Sequence, residues 1–180
     1  MLLKLAITAL FAALVSVGTF IAIPVGPIPI VLQNFFALLS GLVLGPLMGA
    51  VAVGLFLIAG TLGFPVFAGG TGGIAHFAGP TGGYLLGYLL AAVTAGLIAG
   101  KPQPDVKTPV FRIILAVVAG FLAIYVPGLF WLVLRWNLSP GKAFLTGFVP
   151  FIAGDVLKGI AAVLISGRLR RVTADLLHGK

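Results

Sequence analysis

The apolar residues of this chain follow neither the 3.6-residue period of a surface helix nor the alternation of a half-buried strand. They run on in long blocks, and no Asp, Glu, Lys or Arg stands between Lys4 and Lys101. Runs of that length predict helices that cross a membrane, at about 20 residues each. The first is expected over Leu5 to Ile23. It is long for the apolar core of a signal peptide, and more of the same follows it. Pro24-Val25-Gly26-Pro27-Ile28-Pro29 cannot continue a helix, because each Pro lacks a backbone donor. A short second span is therefore expected from about Val31 to Leu44, and a third from Pro46 to Leu62. Gly63 to Gly79 holds six glycines and reads as a structured loop. A fourth span covers Pro80 to Ala99, the stretch from Lys101 to Lys107 is a polar connector, and a fifth span covers Val110 to Leu134. The sixth opens with Ser139 as N-cap and Pro140 at the first helical position, is kinked at Pro150, and ends near Ile165. The pattern predicts an all-α membrane protein: a single domain over residues 1–180, a six-transmembrane-helix bundle with a Gly-rich outer loop between helices 3 and 4.

Composition agrees, and charge adds an orientation. Hydrophobic residues make up 61% of the chain and charged residues 8%, against about 25% charged in a soluble domain. So few charges could not cover a soluble surface of this size. The net charge of +8 would suit nucleic acid were it not confined to loops and the tail, where a membrane protein carries it. With six spans, Lys4, Lys101, Lys107, Arg112, Arg168, Arg170, Arg171 and Lys180 share one side, against Arg135 and Lys142 on the other. That excess predicts that both termini are cytoplasmic and that Trp131 and Trp136 lie at the outer interface. Arg168, Arg170 and Arg171 read as stop-transfer charges that meet lipid head groups. There are no cysteines, which excludes disulfides and thiolate metal sites.

Against this apolar background the candidate chemistry is sparse. Asp155 and Lys158 sit three residues apart inside the sixth span, on one helix face. Each would cost about 2.5–3.5 kcal/mol at the centre of a lipid-facing helix, so both are expected to face protein or a watery cavity. They form either a self-neutralising structural pair or an anchor, with Lys158 for a carboxylate and Asp155 for N–H donors. Gln33 and Tyr84 fall near the outer ends of spans two and four. The loop with Phe67, Gly69, Gly70, Gly72 and Gly73 permits close backbone approach and suits a lid over a small molecule. It fits no nucleotide-binding pattern, and no nucleophile–base constellation appears anywhere. His76 has no neighbours that would make a metal site. Gly41/Gly45/Gly49 and Gly79/Gly83/Gly87 recur every fourth residue and predict close helix contacts. Ala9 and Ala13 share that spacing, and could serve a partner helix or packing within the chain.

Four blocks carry a family resemblance, in order and across nearly the whole chain: Pro27-Ile-Pro-Ile-Val-Leu-Gln33, Gly63-Phe-Pro-Val-Phe-Ala-Gly-Gly, Gly79-Pro-Thr-Gly-Gly-Tyr84-Leu-Leu-Gly, and Pro150-Phe-Ile-Ala-Gly-Asp155-Val-Leu-Lys158. They resemble the BioY family, the biotin-specific substrate-binding (S) subunits of energy-coupling-factor transporters. The resemblance implies a non-enzymatic vitamin-capture subunit without its own ATPase site or cofactor. It implies residence in the plasma membrane of a prokaryote, with a membrane coupling protein and two ATPase subunits as partners. Asp155 would accept the ureido N–H groups of biotin, and Lys158 would pair with its carboxylate. The Gly69–Gly73 loop and Tyr84 would line or close the pocket with Gln33 nearby, and Ala9/Ala13 would meet the coupling protein. Three alternatives stay open at this point: an S subunit for another small vitamin, a proton-coupled secondary transporter using Asp155, and a purely structural membrane subunit that binds no small molecule.

Overall fold

The computed structural model describes residues 1–23 and 28–178, so Pro24 to Pro27 of the Pro-rich turn and Lys180 of the basic tail lie outside the described residues. Helix α1 (Leu2–Val17) stops before the sequence pattern does. Its last expected residues form a two-residue strand, β1 (Ala22–Ile23), antiparallel to β2 (Ile30–Val31), with Ala22 opposite Val31 and Ile23 opposite Ile30. Helices α2 (Gln33–Leu44) and α3 (Pro46–Thr61) follow, parted only by Gly45 at φ +81°. The Gly-rich connector contains a short 3-10 turn (Ile74–Ala78) and leads into α4 (Gly82–Ala99), and α5 (Val110–Trp136) comes after the polar connector.

The sixth expected span is broken rather than kinked. It comprises α6 (Pro140–Gly147), a 3-10 turn (Val149–Phe151) and α7 (Ile152–His178). Ser139 caps α6 by accepting from the Lys142 backbone N–H. Pro150 removes a backbone donor and crowds the carbonyl four residues back. The chain leaves the helix at Phe148 (φ −131°) and restarts within one turn. Helix α7 then continues well past Ile165, because nothing in Arg168–Arg171 breaks a helix. Among the described residues, three segments are long and apolar enough to cross a membrane: Gly82–Ala99, Val110–Trp136, and Pro140–His178 taken across its break. Helices α1, α2 and α3 are apolar but shorter.

The core is α2, in which every residue but Phe36 is buried. It packs against α1, α3, α4, α5 and α7. Twelve residues reach only about 18 Å, well short of a hydrocarbon core of about 30 Å. Its N-terminus therefore begins inside the bundle and leaves room beyond it. Glycine permits the tight fit. A Cβ on Gly41 would lie 2.1 Å from the Ala92 carbonyl oxygen of α4, and one on Gly87 would lie 2.7 Å from that of Ile124 in α5. Gly45 and Gly79 of the same two series lie outside the helices, at turns.

The two ends of the bundle differ. Lys4, Lys101, Leu177 and His178 border one cavity, so both chain ends and the α4–α5 connector share what we call the basic end. The Gly-rich connector, tied to α5 by a 2.9 Å hydrogen bond from Trp131 Nε1 to the Gly79 carbonyl, marks the opposite, loop end.

Candidate functional site

Beyond the N-terminus of α2, towards the loop end, lies a narrow cavity. Its walls include Val31, Asn34, His76, Tyr84, Tyr125 and Lys158. The wall has the make-up of a small-molecule site, mostly apolar with a few converging polar groups. Asp155 and Lys158 are brought here by the break at Pro150, which puts Asp155 in the first turn of α7. A carboxylate is favoured there by the N-terminal end of the helix dipole.

Asp155 and Lys158 do pair, at 2.9 Å, but within a larger cluster. Lys158 Nζ also donates to the Val31 carbonyl and to Asn34 Oδ1, both at 2.9 Å. Its three donors are thus all used. Asp155 Oδ1 accepts from Asn34 Nδ2 at 2.9 Å as well as from Lys158, and Oδ2 accepts from the Tyr125 hydroxyl. Asn34 therefore spans the pair, accepting from the cation and donating to the anion. The Lys158 ammonium faces the cavity. Asp155 lies behind it and lines a groove between α5 and α7 instead.

The other expected site residues divide. Tyr84 lines the cavity, and its hydroxyl donates to the Gly147 carbonyl at 2.8 Å across the α6–α7 break. Gln33 also lines it, yet its amide is committed to the Val66 carbonyl at 2.8 Å and to Thr19, which stitches the Gly-rich loop to the end of α1. Phe67 is fully buried, edge-on to Phe56 and Phe77, and its ring occupies the space a side chain at Gly60 would take. Gly69 and Gly70 turn a tight hairpin at φ +78° and +69°, closed by the Phe67 N–H to Thr71 carbonyl bond at 2.8 Å. Gly73 donates to the Gly60 carbonyl at 2.7 Å. Phe67 and these glycines shape and anchor the loop, while Ala68 is the hairpin residue that reaches the cavity wall. Gly72 presses on the loop's own backbone, where a Cβ would lie 2.3 Å from the Phe64 carbonyl oxygen.

His76 pins the loop to α4. Its Nδ1 lies 3.0 Å from Thr71 Oγ1 and its Nε2 2.9 Å from Thr81 Oγ1. Because the Thr71 hydroxyl donates to the Ala68 carbonyl, Nδ1 carries the proton and Nε2 accepts from Thr81. Burial holds the His76 pKa below its ordinary 6.5, in keeping with a neutral ring.

Asn34 and Tyr125 are the site residues that the sequence did not give away. Asn34 had one signal: with Gln33 it makes a pair of amides at the mouth of an apolar span. A lone Tyr in mid-helix has none. Arg170 also differs from its reading as a head-group contact. It is buried, donating to the carbonyls of Leu42, Ala99 and Gly100 and to Thr108 Oγ1, and so ties together the basic ends of α2 and α4. Ala9 and Ala13 are exposed on α1, which packs inward through Thr8, Phe11 and Val15.

A bundle of apolar helices with a cavity near one end, and the lysine of a buried ion pair in its wall, defines a membrane protein built to hold a small polar ligand. The chain belongs to the BioY family, which it matches over residues 2–175. It is 43% identical to the probable biotin transporter BioY of Pyrococcus horikoshii over 167 residues, covering 93% of this chain and 96% of that one. With the biotin transporter BioY of Thermotoga maritima it shares 40% identity over 168 residues, 92% and 95% of the two chains. The fold is similar to the crystal structure of the S-component for biotin from an ECF-type ABC transporter, with a TM-score of 0.82 and 31% identity over 93% of this chain and 90% of that one.

Proposed function

We propose that this chain captures biotin from outside the cell, as the substrate-specific S subunit of an ATP-driven energy-coupling-factor uptake system. The observation that carries the reading is the cavity-facing Lys158 ammonium inside the Asn34–Asp155–Tyr125 cluster, in a chain whose relatives are named biotin transporters. Biotin carries a carboxylate at one end and ureido N–H groups at the other. The carboxylate takes Lys158 in place of one of its neutral acceptors, which gains a charge-assisted bond. The starts of α2 and α7, both beside the cavity, favour the same negative charge. Asp155, behind Lys158, holds the ammonium in place, and ureido N–H groups reach it only where they displace the Asn34 amide, which lines the cavity and bonds to it.

In this reading the chain crosses the membrane six times, with α6 and α7 as one broken span. The loop end faces out, and the Gly69–Gly73 hairpin, anchored by Phe67 and Gln33, forms the lid beside Tyr84. Both termini are cytoplasmic, as the Lys and Arg excess at the basic end favours, in the plasma membrane of a prokaryote. The exposed Ala9/Ala13 pair on α1 meets the membrane coupling protein, which two ATPase subunits drive. The subunit itself catalyses no reaction.

The test is equilibrium binding of labelled biotin to the purified protein, with thiamine and riboflavin as competitors. Saturable binding that only biotin displaces supports the assignment. Displacement by another vitamin reassigns the ligand. Uptake in proteoliposomes driven by a pH gradient without any ATPase would replace the capture role with proton-coupled transport.

A further inference from the structure

The seam between α5 and α7 holds two features that the capture of a vitamin does not use. One is an open groove of about 1130 Å³, walled by apolar side chains such as Val118, Leu122, Val156, Ile160 and Leu164. It runs from Phe148 and Ile152 past Tyr125 and Asp155 towards the basic end. The other is a cavity of about 660 Å³ at the basic end, between the α4–α5 connector and α7, bordered by Lys107, Thr108, Arg170 and Arg171, with no carboxylate among the described residues that line it.

The two are continuous along α7. Val156, Ile160, Leu164, Gly167 and Arg171 follow one another at spacings of four, four, three and four, which keeps them on a single face. Leu164 belongs to the apolar groove, and Gly167, one turn on, belongs to the basic cavity. A Cβ at Gly167 would meet nothing within 4 Å, so the passage between them is open. The length spans a leaflet. From Ile152, which also lines the groove, to Gly167 the helix rises about 22 Å, more than the about 15 Å of half a hydrocarbon core. The charge agrees, since the cationic end lies at the level of the termini, where the apolar stretches stop. The shape is an apolar trough at least one leaflet deep, capped by cations.

We infer that this seam binds one anionic phospholipid of the leaflet facing the termini, with its phosphate held by Lys107 and Arg171 and an acyl chain lying in the α5–α7 groove. Arg170 adds positive charge from beneath, since every group it bonds to is a neutral oxygen. The inference needs only a bilayer around the bundle, and stands whether or not the outer cavity takes biotin.

The test uses full-length protein in detergent with Trp131 and Trp136 replaced by Phe and Val163, in the groove wall, replaced by Trp. Quenching by phosphatidylglycerol with brominated acyl chains is compared with quenching by brominated phosphatidylcholine. Phosphatidylglycerol is expected to bind about ten-fold or more tightly. The double variant Lys107→Gln/Arg171→Gln should remove that preference, since each cation is worth about five-fold at a membrane surface. Labelled-biotin binding, compared between the double variant and the Trp-substituted parent that carries the same probe, serves as the folding control and should not differ between them. Equal quenching by both lipids overturns the proposal. So does full competition by millimolar inorganic phosphate, which would leave a phosphate site without a lipid. A concentration-dependent dimer that excludes both lipids would assign the groove to a second copy, and also overturns it. A Gly167→Trp variant without the Val163 probe gives an independent reading: retention of co-purified phosphatidylglycerol should fall, and unchanged retention counts against the groove.

Discussion

Lys158 and Arg170 are both buried or nearly so on the same helix, about 18 Å apart at 1.5 Å per residue, yet they are held in opposite ways. Lys158 bonds to a carboxylate, an amide and one carbonyl, and it faces a cavity. Arg170 bonds to three carbonyls at the basic ends of α2 and α4 and to the Thr108 hydroxyl. Side-chain partners can rotate away and be replaced by a ligand, whereas the backbone oxygens at helix ends cannot move without the helix. One buried cation is therefore available for exchange and the other is a clamp. The contrast also shows why a charge at membrane depth does not by itself mark a binding site: the nature of its acceptors decides.

The largest expected effect is at the clamp. Arg170→Met leaves buried carbonyls of α2 and α4 without donors, at about 1–3 kcal/mol each, and should lower the thermal unfolding midpoint in detergent substantially. Arg170→Lys should recover only part of the loss, because an ammonium cannot reproduce the planar fork. Unchanged unfolding in both variants would remove the distinction between the two ends. At the exchangeable end, Asp155→Asn should weaken biotin binding by about two orders of magnitude, in line with truncating one partner of a buried charged pair. The fold should persist, since the amide oxygen can still accept from Lys158 while the amide NH2, in place of the second oxygen, donates to the Tyr125 hydroxyl. Equal losses for every ligand form, together with early unfolding, would instead make Asp155 structural. Tyr125→Phe removes one donor to Asp155 and should cost about ten-fold in affinity, on the scale of one hydrogen bond to a charged group.

The smallest effect concerns the loop. Burial holds His76 below 6.5, so between its folded and ordinary values the folded loop binds fewer protons than the unfolded one. Its contribution is present above pH 6.5 and is lost as pH falls through the lowered value. Hydrogen-exchange protection factors of the residue 67–76 backbone, each referred to the intrinsic rate at that pH, should fall on acidification, and His76→Gln should flatten that dependence. A pH response that survives the substitution would assign it elsewhere.

Much of this could be read from the chain. Continuous apolar runs and Pro–Gly punctuation gave the helices of the first five spans to within a few residues at most boundaries. At the end of α1, residues 22 and 23 instead pair with Ile30 and Val31, a contact that apolar character alone does not reveal. Pro150 announced a disturbance but not a full break, which depends on how Phe148 and Phe151 pack. At the candidate site, Asp155 and Lys158 were legible because charges are rare in apolar helices. Asn34 was not, because its role arises from contacts with residues more than 120 positions away. Arg170 resembled its exposed neighbours Arg168 and Arg171 for the same reason: sequence shows a charge, and only packing shows what it touches.

The most direct test of the exchangeable pair is a binding cycle. Biotin and its neutral carboxamide are each titrated into the wild-type protein and into Lys158→Ala. If Lys158 holds the carboxylate, the substitution weakens biotin by about 100-fold or more and the carboxamide by far less. If both ligands weaken equally in a protein that unfolds at its usual temperature, Lys158 does not read the carboxylate and the account of the site fails.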